Sequence, residues 1–439
     1  MFNYYLKLAW KSMMRNPVLS SLMVLALGLG IGAFMTTYTV YYLMSGDPIP
    51  HKSDVLYAVQ LDNWDPNDPP TESQRDVQPQ ITYRDAEYLM HADTPATRQA
   101  AMYRTGVTVE PESEDEPPFD GSTRATYHTF FTMFDVPFLY GEPWTMTEDD
   151  GRERIVILSR LMNDQLFAGE NSLGRNIRMN DALFRVVGVL DDWQVTPRFY
   201  QVDGGNVFAD AEDFYIPMST GVEMVIQPHG NVNCWLAPDG GGLDAFLRSE
   251  CVWVQFWAEL SDPEEATAYK RFLDNFVRSQ KEIGRYPRPL NTFITPVMEW
   301  MEVNQVVSTD NRVLVRVAFL FLLVCILNTV GLLLAKFLGK GPEVALRRAM
   351  GASKNAVFSQ NLVEVCAIGF LGGVVGIALA WMGLQLIDKL YRGYQNLVHL
   401  DGAMLSVALL VAVLSSIVAG IYPVWRVARL APAGYLKTQ

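Results

Sequence analysis

Four stretches of the chain run apolar for long enough to cross a hydrocarbon layer, which takes about 20 residues. They predict transmembrane helices at 17–44, 312–338, 357–388 and 403–425. Between the first two lies a long segment, 45–311, whose pattern is that of a folded mixed α/β domain. VLYAVQL (55–61) alternates as a half-buried strand does, and ITYRDAEYLMHA (81–92) has helical spacing. Residues 62–80, rich in Asp, Pro and Asn, read as a loop. A strand is expected at 98–110, an acidic turn at 111–118, a short helix and turn at 127–144, and a strand leading into a helix at 154–169. RNIRMNDALFRVVGVLDDW (175–193) reads as a hairpin turning at Asn180-Asp181. Further strands are expected at 214–220, 251–260 and 290–297. The segment 262–283 is an amphipathic helix with Asp262 as N-cap and Pro263 at its first position. Residues 298–311 are expected to begin a helix that continues into the second span. Strand–helix–strand patterns at both ends and a β-rich middle, about 106–220, suggest one domain inserted in another.

Charge sharpens this division. The segment 45–311 holds 44 Asp/Glu and 20 Lys/Arg, a net of −24. The segments 1–16, 336–356 and 426–439 together hold 11 Lys/Arg and one acid, Glu343. Short cytoplasmic segments of membrane proteins collect Lys and Arg in this way. The sequence therefore predicts both termini and the 339–356 segment on the cytoplasmic side, with the acidic domain outside and a loop at 389–402. The first 16 residues form an amphipathic lead-in in which Tyr4, Leu8 and Trp10 alternate with Lys7, Lys11 and Arg15. The first span reads as a retained anchor, since its apolar run is too long for a cleaved signal. The overall charge of −13 disfavours nucleic acid as a partner.

Within the spans, Gly28 and Gly32 make a GxxxG pair, and Gly369, Gly372, Gly373 and Gly376 form a small-residue stripe. Both suit close helix packing in lipid. Asn328 and Glu364 are the intramembrane polar residues. Asn328 needs a partner on another helix, and Glu364 reads as a structural or coupling carboxylate with Arg348 or Lys354 in reach. Of four cysteines, Cys325 and Cys366 fall in spans; Cys234 and Cys251 fall in the acidic domain and are candidates for a disulfide, the alternative being two free thiols.

The stretch 341–364, GPEVALRRAMGASKNAVFSQNLVE, is far more polar than the runs on either side. Gly341-Pro342 starts a helix, Glu343 suits its first turn, and Glu343 and Arg347 pair at i, i+4. Gly351 stops it, and Ser353 caps the next helix. A short basic amphipathic helix at a membrane face is suited to docking a soluble partner; an ordinary topology-setting loop is the alternative.

EVALRRAMGAS followed by a helix carrying Glu364 resembles the cytoplasmic segment of MacB/FtsX-type (type VII) ABC transporter permeases. Glu343, Arg347, Gly351 and Ala352 match that pattern, whereas Ala345 stands in place of the usual Gly and Pro342 in place of a charged residue. The middle of the acidic domain resembles the same family at Phe130, Phe131, Gly141, 155–159, 166–169, 172–175 and 184–189. The C-terminal end does so at Pro423, Arg426, Ala428, Arg429, Leu430, Pro432 and Leu436. Residues 195–250 lie outside the likeness. The resemblance implies an α+β membrane protein with four transmembrane helices and a large extracytoplasmic domain between the first two. It also implies an ATPase-coupling set of Glu343, Leu346, Arg347, Arg348, Gly351, Ala352 and Ser353. Two copies of a separate ATPase, binding ATP and Mg, a second permease copy or paralogue, and a periplasmic adaptor with an outer-membrane channel are the partners it implies.

The chain itself carries no G-x-x-x-x-G-K-[ST] loop, so ATP hydrolysis is expected in a partner. No H-E-x-x-H, C-x-x-C or G-x-S-x-G occurs, and the five His show no metal spacing. No catalytic residue, metal or cofactor of its own is expected. Three functions fit these features. One is export of a peptide, antibiotic or siderophore from the periplasm; another is mechanotransmission to a cell-wall hydrolase or lipoprotein. The third is an anchored sensor or binding module.

Overall fold

The computed structural model describes residues 2–68, 75–111, 117–202, 206–390 and 402–429. The chain divides into two compact units, Gly46–Val306 and Met1–Ser45 with Val307–Gln439.

Gly46–Val306 is built on a mixed sheet, 11-stranded among the described residues. Its strands are β1 (Leu56–Leu61), β2 (Ile81–Thr82), β3 (Arg98–Glu110), β4 (Phe119–Thr126), β5 (Phe138–Gly141), β6 (Ile155–Leu158), β7 (Asn176–Met179), β8 (Ala182–Leu190), β9 (Phe214–Pro217), β10 (Val252–Glu259) and β11 (Thr292–Pro296). The order is β11-β1-β10-β3-β4-β9-β6-β8-β5, with β2 beside β10 and β7 beside β3 and β8. Pairings are antiparallel except β4–β9 and β6–β8. The β-rich stretch expected as an insertion at 106–220 is continuous with the rest, because β3 serves both halves. Its residues 98–102 pair with β10 and 102–109 with β4.

Period-two alternation gives the sheet two buried faces. On one, Ala101, Tyr103 and Phe256 pack under the helices Tyr83–His91 and Pro263–Glu282, through Ala86, Leu89, Tyr269, Leu273 and Phe276. The second helix starts as its cap residue dictates: Asp262 Oδ1 accepts from the N–H groups of Glu264 and Glu265 at 2.9 and 2.8 Å. On the other face Ala100, Met102 and Trp257 meet Phe130, Phe131, Phe134, Tyr200, Tyr215 and Trp300. The β7–β8 hairpin turns on Asn180 and Asp181, whose φ of 45° and 63° suit a tight two-residue turn. Cys234 and Cys251 are joined by a disulfide with a Cα–Cα distance of 4.2 Å.

Two segments differ from expectation. The strand expected at 214–220 ends at Pro217, and Met218–Glu223 is helical. The helix expected to run from 298 into the second span is broken. Val297–Val303 ends at Asn304, Gln305 takes a φ of 51°, and Ser308 caps a fresh helix from Thr309. The acidic turn 112–116, the loop residues 391–401 and the tail 430–439 lie outside the described residues.

The aromatic face also encloses charge. Arg124 and Glu212 are fully buried and hydrogen-bonded through Arg124 Nη2 and Glu212 Oε1. Arg198 Nη1 reaches the same oxygen at 3.2 Å, and the Tyr200 hydroxyl donates to Glu212 Oε2 at 3.3 Å. The Tyr200 ring lies 4.7 Å from the Arg124 guanidinium carbon. Burial alone raises the Glu212 carboxyl, but Arg124 and Arg198 more than offset this and hold it at about 2, below the ordinary 4.5. A depressed carboxyl contributes stability that is complete above the ordinary value and is lost as pH falls through the folded one. The full chain in detergent is therefore expected to lose domain stability between about pH 4.5 and 2, followed by tryptophan fluorescence. Glu212→Gln should be less stable at neutral pH and show a shallower slope across that window; an unchanged slope would contradict this.

The unit formed by the two ends of the chain is helical. The lead-in Phe2–Arg15 precedes four helices long and apolar enough to cross a membrane: Pro17–Met44, Thr309–Gly339, Lys354–Leu390 and Gly402–Ala428. The first and third spans meet through glycine. A methyl group at Gly28 would stand 2.7 Å from Val375 Cγ1, and one at Gly376 would stand 2.7 Å from Ile31 Cγ2. Gly32 and Gly372 line the same seam, against Leu379 and Leu27. Gly369 and Gly373 face the fourth span at Ser416 and Ala412.

Candidate coupling site

At one end of this helical unit the polar segment folds as a nine-residue helix, Gly341–Ala349. Pro342 and Glu343 occupy its first turn and Arg347 and Arg348 its last, complementing the helix dipole. Val344 and Ala345 are buried in the bundle. After Met350, Gly351 takes a φ of 101°, the left-handed conformation that lets the chain reverse. Its N–H bonds Arg348 O at 3.1 Å, and the Ala352 N–H bonds Arg347 O at 3.1 Å. Ser353 Oγ then accepts from the Ala356 N–H at 3.1 Å and opens the third span.

Beneath this helix lies a buried charge cluster drawn from four helices. Glu364, on the third span about 15 Å along the helix from Lys354 at 1.5 Å per residue, has a side chain only 3% exposed. Its Oε1 meets Lys336 Nζ at 2.9 Å and its Oε2 meets Lys340 Nζ at 2.7 Å. Ser12 Oγ, from the lead-in, donates to Glu364 Oε1 at 2.6 Å and also accepts from Lys340. Lys336 is wholly enclosed and donates to Ser20 Oγ on the first span at 2.9 Å. An outer ring of pairs continues from here. Arg347 meets Glu343 at 2.8 Å and Gln360 Oε1 at 2.9 Å, and Arg15 meets Glu343 at 3.4 Å. The cluster thus ties the lead-in, the first three spans and the short helix together at one point.

Several sequence expectations shift here. Glu364 pairs with Lys336 and Lys340, not with Arg348 or Lys354; the two lysines approach it from the neighbouring helix, one turn apart. Glu343 and Arg347 turn towards the bundle and hold the helix in place. The face left open carries Leu346, 52% exposed, and Met350, 73% exposed, four residues apart on one side of the helix. Arg348 is half-buried, Ala352 is half-buried, and Gly351 and Ser353 are exposed. Among the described residues Asn328 makes no bond to another helix of this chain; it is exposed on the second span. The Leu346–Met350 spacing was readable in the sequence; the convergence of Lys336, Lys340 and Ser12 on Glu364 carried no local signal.

Removing one member of a buried ion cluster leaves the others uncompensated, at a cost of about 3–5 kcal/mol, whereas replacing both partners by apolar residues is near neutral. Glu364→Gln is expected to lower the thermal midpoint of the detergent-solubilised chain sharply. Replacing the whole trio, Lys336→Met and Lys340→Met with Glu364→Met, should recover most of the loss. Equal midpoints for wild type and Glu364→Gln would contradict a structural role for the cluster.

A family model described as the MacB-like periplasmic core domain matches residues 20–271, and one described as the FtsX-like permease C-terminal matches residues 316–432. Among curated proteins, the macrolide export ATP-binding/permease protein MacB of Syntrophobacter fumaroxidans is 23% identical over 385 residues, covering 81% of this chain and 52% of that protein. The uncharacterized ABC transporter permease YvrN of Bacillus subtilis is 21% identical over 371 residues, covering 82% of this chain and 81% of YvrN. The chain spans about half the length or less of the curated MacB proteins it matches. Among solved structures, the periplasmic region of MacB from Actinobacillus actinomycetemcomitans aligns with a TM-score of 0.38 at 16% identity, covering 60% of this chain and 96% of that one. With one family model covering more than half of its length and a second covering most of the remainder, the chain belongs to the MacB-like, FtsX-type permease family of ABC transporters.

Proposed function

We propose that this chain is the permease subunit of a MacB-like ABC transporter in a bacterial inner membrane, with its acidic domain in the periplasm and both termini inside. A separate ATPase, in two copies that bind ATP and Mg, grips the short helix Gly341–Ala349 and the turn after it. A second permease copy or paralogue completes the assembly. Closure of the ATPases displaces the helix, and the buried charge cluster passes that displacement to the first three spans. The periplasmic domain responds and drives export of a substrate already outside the inner membrane, of the peptide, antibiotic or siderophore class. The name of the relatives that export macrolides supports the export reading.

One observation carries this reading. The short helix is held on one side by buried Val344 and Ala345 and by the Arg347–Gln360 hydrogen bond, and presents Leu346 and Met350 on the other, so a partner can pull on it without detaching it. Two large apolar side chains exposed side by side give a partner apolar surface to bury.

Affinity purification of the full chain from its native membrane should bring down one P-loop ATPase in near-equal amount. Leu346→Asp combined with Met350→Asp should reduce that recovery by about tenfold or more, the loss of two anchor residues. The folded chain itself should be retained, because both side chains are solvent-facing. Wild-type recovery by the double variant, or no ATPase with the wild type, would contradict the proposal.

A further inference from the structure

The charge cluster borders an open cavity of about 780 Å³ between the start of the first span and the end of the second. Its lining is divided by chemistry. One end is polar, with Arg15, Asn16 and Lys340; the other is apolar, with Val18, Leu19 and Ala335 along the two spans. The short helix closes it with Pro342 and Glu343. A second cavity of about 540 Å³ adjoins it, sharing Arg15, Lys340 and Glu343 and adding Lys11 and Arg347. Among the described residues of this region Lys11, Arg15, Lys336, Lys340 and Arg347 stand against Glu343 and Glu364, a net charge of +3.

Arg15 stands at the junction of the two cavities. Its side chain is 78% exposed, and its contact with Glu343 is a long one at 3.4 Å. Exposed pairs of that kind contribute little and yield readily to a better anion. Tyr4 and Trp10 of the lead-in are exposed on the same helix as Arg15. Aromatic side chains of this type sit at the headgroup level of a bilayer. A basic, headgroup-level opening that continues into an apolar groove along two spanning helices matches a molecule with an anionic head and hydrocarbon tails.

We infer that this cavity binds an anionic phospholipid, its phosphate against Arg15 and an acyl chain along Val18 and Leu19. The bound lipid fills the gap between the lead-in, the first span and the second span. It also supplies negative charge to a cluster that has an excess of cations. The inference rests on reading the four long helices as membrane spans; it does not depend on an ATPase partner or on which face is cytoplasmic.

The test titrates the full chain in mild detergent with phosphatidylglycerol and, separately, with phosphatidylethanolamine of the same acyl chains, counting bound lipid by native mass spectrometry. Phosphatidylglycerol is expected to bind more tightly by about tenfold, and Arg15→Gln to weaken it by about fivefold, the contribution of one basic residue at a headgroup. Arg15→Glu should weaken it further, and Lys7→Gln, an exposed lead-in change outside both cavities, should leave it unchanged. Excess inorganic phosphate should not displace the lipid, because the acyl groove has no hold on it. Equal binding of the two lipids, unchanged binding by Arg15→Gln, or displacement by phosphate alone would overturn the inference.

Discussion

A single carboxylate with two ammonium groups, Glu364 between Lys336 and Lys340, is the constraint on which the helical unit depends. Isolated charges in such an enclosed setting are costly, and each member of the trio is tolerable only because the other two are present. Ser12 and Ser20 satisfy the remaining polar valences from the lead-in and the first span. An apolar core made of the same helices would pack as well but would not fix their register. A carboxylate held at 2.7 and 2.9 Å by two ammonium groups adds a directional restraint to that packing. The glycine seam between the first and third spans adds a second restraint, since neither Gly28 nor Gly376 has room for a methyl group.

The extracytoplasmic unit uses the same device in a different setting. Arg124 and Glu212 are enclosed by Phe130, Tyr200 and Tyr215, with Arg198 on the same carboxylate oxygen. Arg124 lies on β4 and Glu212 just before β9, so the pair fixes the join between those two parallel strands. β3 extends this rigidity across the sheet, since it pairs with β10 over one half and β4 over the other. The unit is thus one sheet with two buried faces.

How much of this was legible depended on whether the cause was local. The spans were legible because an unbroken apolar run needs no knowledge of its neighbours. The helix after Asp262 and the turn at Asn180-Asp181 were legible because cap and turn chemistry act within a few residues. The short helix 341–349 was marked at both ends by Pro342 and Gly351. The end of β9 at Pro217 was not legible, because MST continues a strand-like pattern and its conversion to helix is decided by tertiary packing. The face on which Asn328 stands was not legible, because nothing in its flanking residues tells the outer surface of an apolar span from the inner. Lys336 and Glu364 are 28 positions apart on different helices, and only the fold brings them together. For the same reason the partners of Glu343 and Arg347 beyond one another, Arg15 and Gln360, were not legible, nor was the exposure of Leu346 beside Met350.

The central claim is that the buried cluster makes the lead-in, the first three spans and the short helix one mechanical body. Hydrogen exchange on the full chain in detergent measures this directly. In the wild type, amides of 341–349 should be protected to the same degree as the spans beneath them. In Glu364→Gln, protection should fall together in 341–349 and in the lead-in 2–15, the two segments that flank the cluster and meet each other through Arg15 and Glu343. Protection in 341–349 that is unchanged by the substitution, or that falls without any change in 2–15, would contradict the account.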